Sequence, residues 1–170
     1  MAQRRRWLWV AALALAGVAV QIVVHVVIAR SSATVLTSLL AVVSGTLHTT
    51  INVTLLWLFG RTLLQGREPL ITGFARKFHG TLPPEIARYT RHATLAWVVF
   101  FAAQLIASAI LLAVSLEHWS LFVNVLAWPL VITMFVAEYL YRITRFRGFA
   151  HSSIWDGVRA FADDARRTHG

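Results

Sequence analysis

Long apolar runs separated by polar breaks set the pattern of this chain. Four of them, Trp7–Ala29, Thr34–Phe59, Ala93–Val114 and Ser120–Tyr141, each reach the roughly 20 residues that a helix needs to cross a hydrocarbon layer about 30 Å thick. Two breaks are brief, Arg30–Ala33 and Ser115–Trp119, and one is long, residues 60–92. The pattern predicts an all-α polytopic membrane protein. Its single domain, residues 1–170, is a bundle of four transmembrane helices with a loop at 60–92 and a tail at 142–170. The apolar run that follows Arg4-Arg5-Arg6 continues to Ala29, longer than the core of a secretory signal, so the first span is expected to be retained.

Polar residues inside the spans are few and regularly placed. Gln21 and His25 in the first span, and Gln104 and Ser108 in the third, are each four residues apart, while Ser44, His48 and Asn52 recur every fourth residue in the second. Residues so spaced share a helix face, and in a membrane such a face points into the bundle. These seven residues mark either a polar cavity or a packing face joined by side-chain hydrogen bonds, since small hydroxylated residues commonly sit between membrane helices. The fourth span adds Asn124, a kink expected at Trp128-Pro129, and Glu138, the only carboxylate within the four spans. Arg142 follows Glu138 by four residues, and Arg88 or Arg91 is expected at similar depth. An ion pair between Glu138 and Arg142 that also ties the third and fourth spans is one reading of this carboxylate, and a proton relay is the other. The first span is rich in small residues, Ala12, Ala14, Ala16, Gly17 and Ala19, which allow close approach of another helix and make a homo-oligomer plausible.

The long break contains structure of its own. Leu70, Ile71, Phe74 and Phe78 fall on one helical face, away from Arg76 and Lys77, the pattern of a short helix lying in the membrane interface. His79-Gly80 ends it, and Leu82-Pro83-Pro84-Glu85 opens the next helix, since Pro84 suits a first helical position and Glu85 complements the helix dipole. Arg88, Arg91 and His92 then gather near that helix's N-terminus, where cations oppose the dipole, which points to an anionic partner or lipid headgroup. In the tail, Ile154, Trp155, Val158 and Phe161 predict a second interfacial helix.

Composition and charge fix the class and the orientation. The chain is 58% hydrophobic and 14% charged, a balance that one soluble core of this size does not accommodate. Its net charge of +9 would suggest nucleic acid in a soluble protein, but fifteen of the sixteen arginines and lysines lie in the N-terminal segment, the central loop or the end of the chain. The positive-inside rule places all three in the cytoplasm and accounts for the basicity with no nucleic-acid partner. With no cysteine, thiolate chemistry is excluded. Of the seven histidines, His25, His48, His92 and His118 offer no clearly level pair within the membrane by helical rise, His25 and an outer-turn His118 being the nearest match, so a haem held between two of them is a minor reading, and no metal or cofactor is expected. No nucleophile elbow or phosphate loop occurs, so the sequence leans away from an enzyme.

The segment FARKFHGTLPPE, the arginines of RYTRHATLAW, Phe100-Phe101 and FVAEYLYRITRF at the end of the fourth span resemble a family of small, uncharacterised inner-membrane proteins. Members are encoded in fatty-acid-synthase-like gene clusters for aryl polyene and xanthomonadin-type pigments of Gram-negative bacteria. The resemblance covers roughly residues 70–165 and carries no catalytic residues. It implies a bacterial inner-membrane location and a non-catalytic accessory or docking subunit for acyl-carrier-linked polyene or lipid biosynthesis. Arg76, Lys77, Arg88, Arg91 and His92 would then meet an acidic acyl carrier protein or lipid headgroups. The rival readings are a lipid or small-molecule binder or transporter built on the polar stripe, and a haem-bearing redox protein.

Overall fold

The computed structural model describes residues 2–30, 34–64 and 66–145, with the backbone alone at residues 2–8, 10, 34, 78 and 79. The expected interfacial helix of the tail and the first outer turn at residues 31–33 lie outside the described residues. The described chain is helical, without strands: α1 (Ala2–Arg30), α2 (Thr34–Gly60), a 3-10 turn (Arg61–Leu63), α3 (Leu70–His79), α4 (Pro84–Val114), α5 (Leu116–Leu121), a π-helical segment (Phe122–Leu126) and α6 (Ala127–Arg145). Helix α5, the π segment and α6 follow one another as a single apolar rod, Leu116–Arg145. Together with α1, α2 and α4 it gives four helices long and apolar enough to cross a membrane.

Local chemistry sets the ends of α3 and α4. Gly80 adopts φ +71° after α3 and donates its N–H to the Arg76 carbonyl at 2.8 Å, a turn that glycine enters without a steric penalty. Helix α4 starts with Pro84 in its first turn and Glu85 beside it. Helix α3 has no side-chain cap of its own, yet two of its orphan N–H groups are satisfied from elsewhere. Leu70 N donates to Thr62 Oγ1 at 3.0 Å and Ile71 N to Thr94 Oγ1 at 3.3 Å. The Thr72 and Thr90 hydroxyls meet at 2.7 Å. Threonines thus pin the short helix to the 3-10 turn and to α4, while Phe74 stays exposed.

One expectation about the fourth span is corrected. Residues Ser115–Trp119 do not form a turn: Ser115 alone is extended, its hydroxyl accepts from His118 N at 3.4 Å, and α5 begins at Leu116. Trp119 is consequently a core residue, buried against α2 and α4, with its indole N–H donating to Ser108 Oγ at 3.0 Å. Just ahead of Trp128-Pro129, where the sequence predicts a kink, Phe122–Leu126 forms a π turn. Proline removes the hydrogen bond to the residue four positions earlier and crowds that carbonyl, here Val125, and a π turn at that position accommodates the strain.

The packing is that of a lipid-embedded bundle. Most large apolar side chains are exposed, among them Leu13, Val35, Val99 and Ile132, whereas the fully buried side chains among the described residues are the small, polar Thr94 and Ser120. The buried face of α4 reads Thr90, Thr94, Trp97, Phe101, Gln104, Ser108, a helical stripe that mixes polar and aromatic groups. Helix α4 pairs most closely with α2, and α1 rests on α5 and the π segment. Residues 11–20 of α1 are exposed throughout, so this helix packs through its second half. Helix α6 stands off from α4 and meets it through aromatic pairs: Trp97 with Phe135 at 4.5 Å and Tyr89 with Tyr141 at 5.6 Å between ring centroids. That separation leaves space on both sides of the Trp97–Phe135 contact.

Candidate functional site

The larger part of the polar stripe converges on one cavity. Between α1, α2, α4 and the rod that ends in α6 lies a cavity of about 440 Å³. Gln21, Ser44, His48, Asn52 and Gln104, predicted from spacing alone, all line it, and Asn124 from the π segment joins them. On α2 the polar positions precede Leu55 and Phe59, and on the antiparallel α4 Gln104 follows Trp97 and Phe101. One end of the cavity is therefore polar and the other aromatic. Phe59, Trp97, Phe101 and Phe135 form that aromatic end, in contact at centroid distances of 4.5 to 6.1 Å.

Hydrogen bonds fix the roles of the polar atoms. Asn52 Nδ2 donates to the His48 carbonyl at 2.9 Å and lies 3.4 Å from His48 Nδ1. An amide nitrogen offers only protons, so Nδ1 accepts and the ring proton sits on Nε2. Gln104 Nε2 lies 3.4 Å from the Ala127 carbonyl, to which it donates, which turns its oxygen the other way. His48 Nε2 and Gln104 Oε1 are buried and have no hydrogen-bond partner among the described residues. The Gln104 main chain also acts on the His48 ring, so Gln104 Oε1 is the atom beside the cavity left wholly without a partner among the described residues, and it carries a desolvation penalty until it is paired.

Two members of the predicted stripe serve other purposes. His25 Nδ1 lies 3.2 Å from Ser120 Oγ, joining α1 to α5, and Ser108 is taken up by the Trp119 indole. Ser120 Oγ and the Ser120 carbonyl both accept from Asn124 Nδ2 at 3.1 Å. Asn124 repeats the every-fourth spacing from Ser120, the signal by which it could have been grouped with the stripe. The aromatic end had a comparable signal in Trp97, Phe101 and Gln104 on one face of α4. Which face of α6 would meet it was not readable.

The basic end divides the predicted cluster in two. Arg76, Lys77, Arg88, Arg91 and His92 are all exposed. Arg76 pairs with Glu68 at 3.1 Å, and Arg91 donates to the Leu63 carbonyl at 3.4 Å, on the side of α3 and the 3-10 turn. Arg88 and His92 instead line a groove of about 610 Å³ between α4 and α6, with Glu138 and Arg145. Within it, Tyr89 donates to Glu138 Oε1 at 2.7 Å. Arg142 Nε stands 3.9 Å from the same oxygen, within electrostatic reach but too far for a hydrogen bond. Among the described residues neither Arg88 nor Arg91 forms an ion pair with Glu138; the hydrogen-bonded tie between α4 and α6 is Tyr89. Among the described residues no group of three or more metal-ligating side chains gathers.

Comparison with protein-family models, with curated proteins and with solved structures finds no match for this chain.

Proposed function

We propose that this protein holds an elongated, mostly apolar small molecule inside the membrane, in the cavity between α1, α2, α4 and α6. The observation that carries the reading is the convergence of six polar side chains from four separate segments on one end of a cavity whose other end is aromatic. The volume falls within the range of small-molecule sites. Gln104 Oε1 calls for a donor such as a hydroxyl or a carboxamide, with the His48 ring beside it, while the aromatic end takes a flat or extended apolar body. That oxygen is covered in this structure, so the ligand reaches it after side-chain rotations of the kind common on binding. Native mass spectrometry of the protein released from lipid nanodiscs tests the reading. A defined bound mass that disappears in Gln104→Leu and His48→Leu supports it; a bare polypeptide, or a mass that both variants retain, sinks it.

The exposure of Arg76, Lys77, Arg88, Arg91 and His92 favours a second, compatible reading. With the basic end in the cytoplasm of a bacterial inner membrane, these residues would dock an acidic acyl carrier protein, and the cavity would receive the acyl or polyene product it delivers. Neutralising the four arginine and lysine residues should abolish carrier binding at low salt. Unchanged binding would remove this reading and leave the cavity reading standing.

A further inference from the structure

The groove between α4 and α6 at the basic end is distinct from the cavity, separated from it by the Trp97–Phe135 contact. Its charged rim is balanced in kind: Glu85 and Glu138 against Arg88 and Arg145, with His92 beside them. A site for a simple anion would concentrate cations alone, and a site for a simple cation would concentrate carboxylates. Glu138 is the most enclosed of these acids, its side chain 18% exposed. Oε1 accepts from Tyr89, while Oε2 accepts no hydrogen bond among the described residues. Arg142, 3.9 Å from Oε1, offsets the charge without giving a hydrogen bond, so Oε2 is open to a further N–H donor, and a cationic one makes the stronger bond.

Below the rim the groove changes character. Ala93, Ala96, Met134 and Ala137 line it, and three of these four side chains are no larger than a methyl group, which leaves a slot between α4 and α6 wide enough for an alkyl chain. Glu138 lies twenty-two residues along the rod from Leu116, or about 33 Å at 1.5 Å per residue. That distance matches the thickness of the hydrocarbon layer and sets the rim at headgroup level.

We infer that this groove binds a zwitterionic aminophospholipid, with the phosphate against Arg88, His92 and Arg145, the primary ammonium on Glu138, and one acyl chain in the alanine-lined slot. Phosphoethanolamine has the required pattern of one anion and one three-donor cation. Phosphocholine carries the charge but no N–H to give to Glu138, and phosphoglycerol carries no cation.

The test is lipid retention by the full-length protein in nanodiscs made from equal parts phosphatidylethanolamine, phosphatidylcholine and phosphatidylglycerol, read by native mass spectrometry. Wild-type protein should retain phosphatidylethanolamine preferentially. Glu138→Gln keeps the shape and the acceptor for Tyr89 but removes the charge, and should reduce that preference roughly tenfold, the factor expected for loss of one charge-assisted hydrogen bond. Arg88→Gln should weaken retention of all three phospholipids. Tyr89→Phe leaves the carboxylate in place and should keep the preference. Equal retention of the three lipids by wild type, an unchanged preference in Glu138→Gln, or its loss in Tyr89→Phe would each overturn the proposal.

Discussion

Gln104 and Asn52 are both buried amides on the cavity wall, yet their hydrogen bonding predicts opposite responses to the same substitution. Gln104 makes one long bond, 3.4 Å, and leaves its oxygen unpaired. Gln104→Leu gives up little and removes an unsatisfied acceptor, so the ligand-free protein should gain about 1 kcal/mol, seen as a detergent melting midpoint raised by roughly 2–4 °C. Asn52 satisfies both the His48 carbonyl and His48 Nδ1; Asn52→Leu strands the ring nitrogen and should lower the midpoint by a similar amount. If Gln104→Leu melts lower, its oxygen is paired in solution after all. Much of this wall was legible in the sequence, because a residue every fourth position in an apolar run can only be a face, and a polar face in lipid turns inward. The partner atoms were not legible: whether Ser108 meets the cavity or the Trp119 indole depends on how α5 folds back, which no spacing within α4 records.

At the level of elements, the four spans were readable because lipid demands about 20 apolar residues from each. The π turn was not, since Phe122–Leu126 is as apolar as its flanks and only Pro129 hints at it. The start of α5 was misread because Glu117 and His118 look like turn residues, whereas the decisive feature is Ser115 capping a helix that buries Trp119. Two packing predictions follow from the contacts that did form. A Cβ added at Gly45 would stand 3.1 Å from Trp119 Cζ2, and the indole cannot yield without breaking its bond to Ser108. Gly45→Val should therefore destabilise the α2–α5 contact by about 1–3 kcal/mol, measured as a lowered melting midpoint that Trp119→Phe, with its smaller ring, partly restores. Thr94 is fully buried and accepts from Ile71 N. The near-isosteric Thr94→Val leaves that donor unpaired, a loss of about 1–3 kcal/mol that should appear as faster amide exchange in α3 with little change in α2. Equal acceleration in both helices would mean that α3 is not held by this bond.

For the whole molecule the remaining variable is which way it sits in the membrane, and charge decides it. Arg61, Arg76, Lys77, Arg88, Arg91, Arg142 and Arg145 lie at the end of the bundle that carries α3, whereas Arg30 is the only described cation of this kind at the other end. Helix α4 alone separates the two ends by about 45 Å at 1.5 Å per residue over its 31 residues, enough to span the bilayer with its interfaces. Positively charged loops stay on the cytoplasmic side, so Thr81, between α3 and α4, should face the cytoplasm and Glu117, in the first turn of α5, the opposite compartment. Because the chain contains no cysteine, single substitutions report position without a background. In intact cells a membrane-impermeant maleimide should label Glu117→Cys and leave Thr81→Cys unlabelled until the membrane is permeabilised; both positions are exposed. The reverse pattern would place the groove of Arg88 and Glu138 in the outer leaflet, out of reach of any cytoplasmic carrier. It would leave the cavity chemistry untouched, since that depends on where His48, Gln104 and the aromatic rings meet and not on which face of the membrane they are nearer.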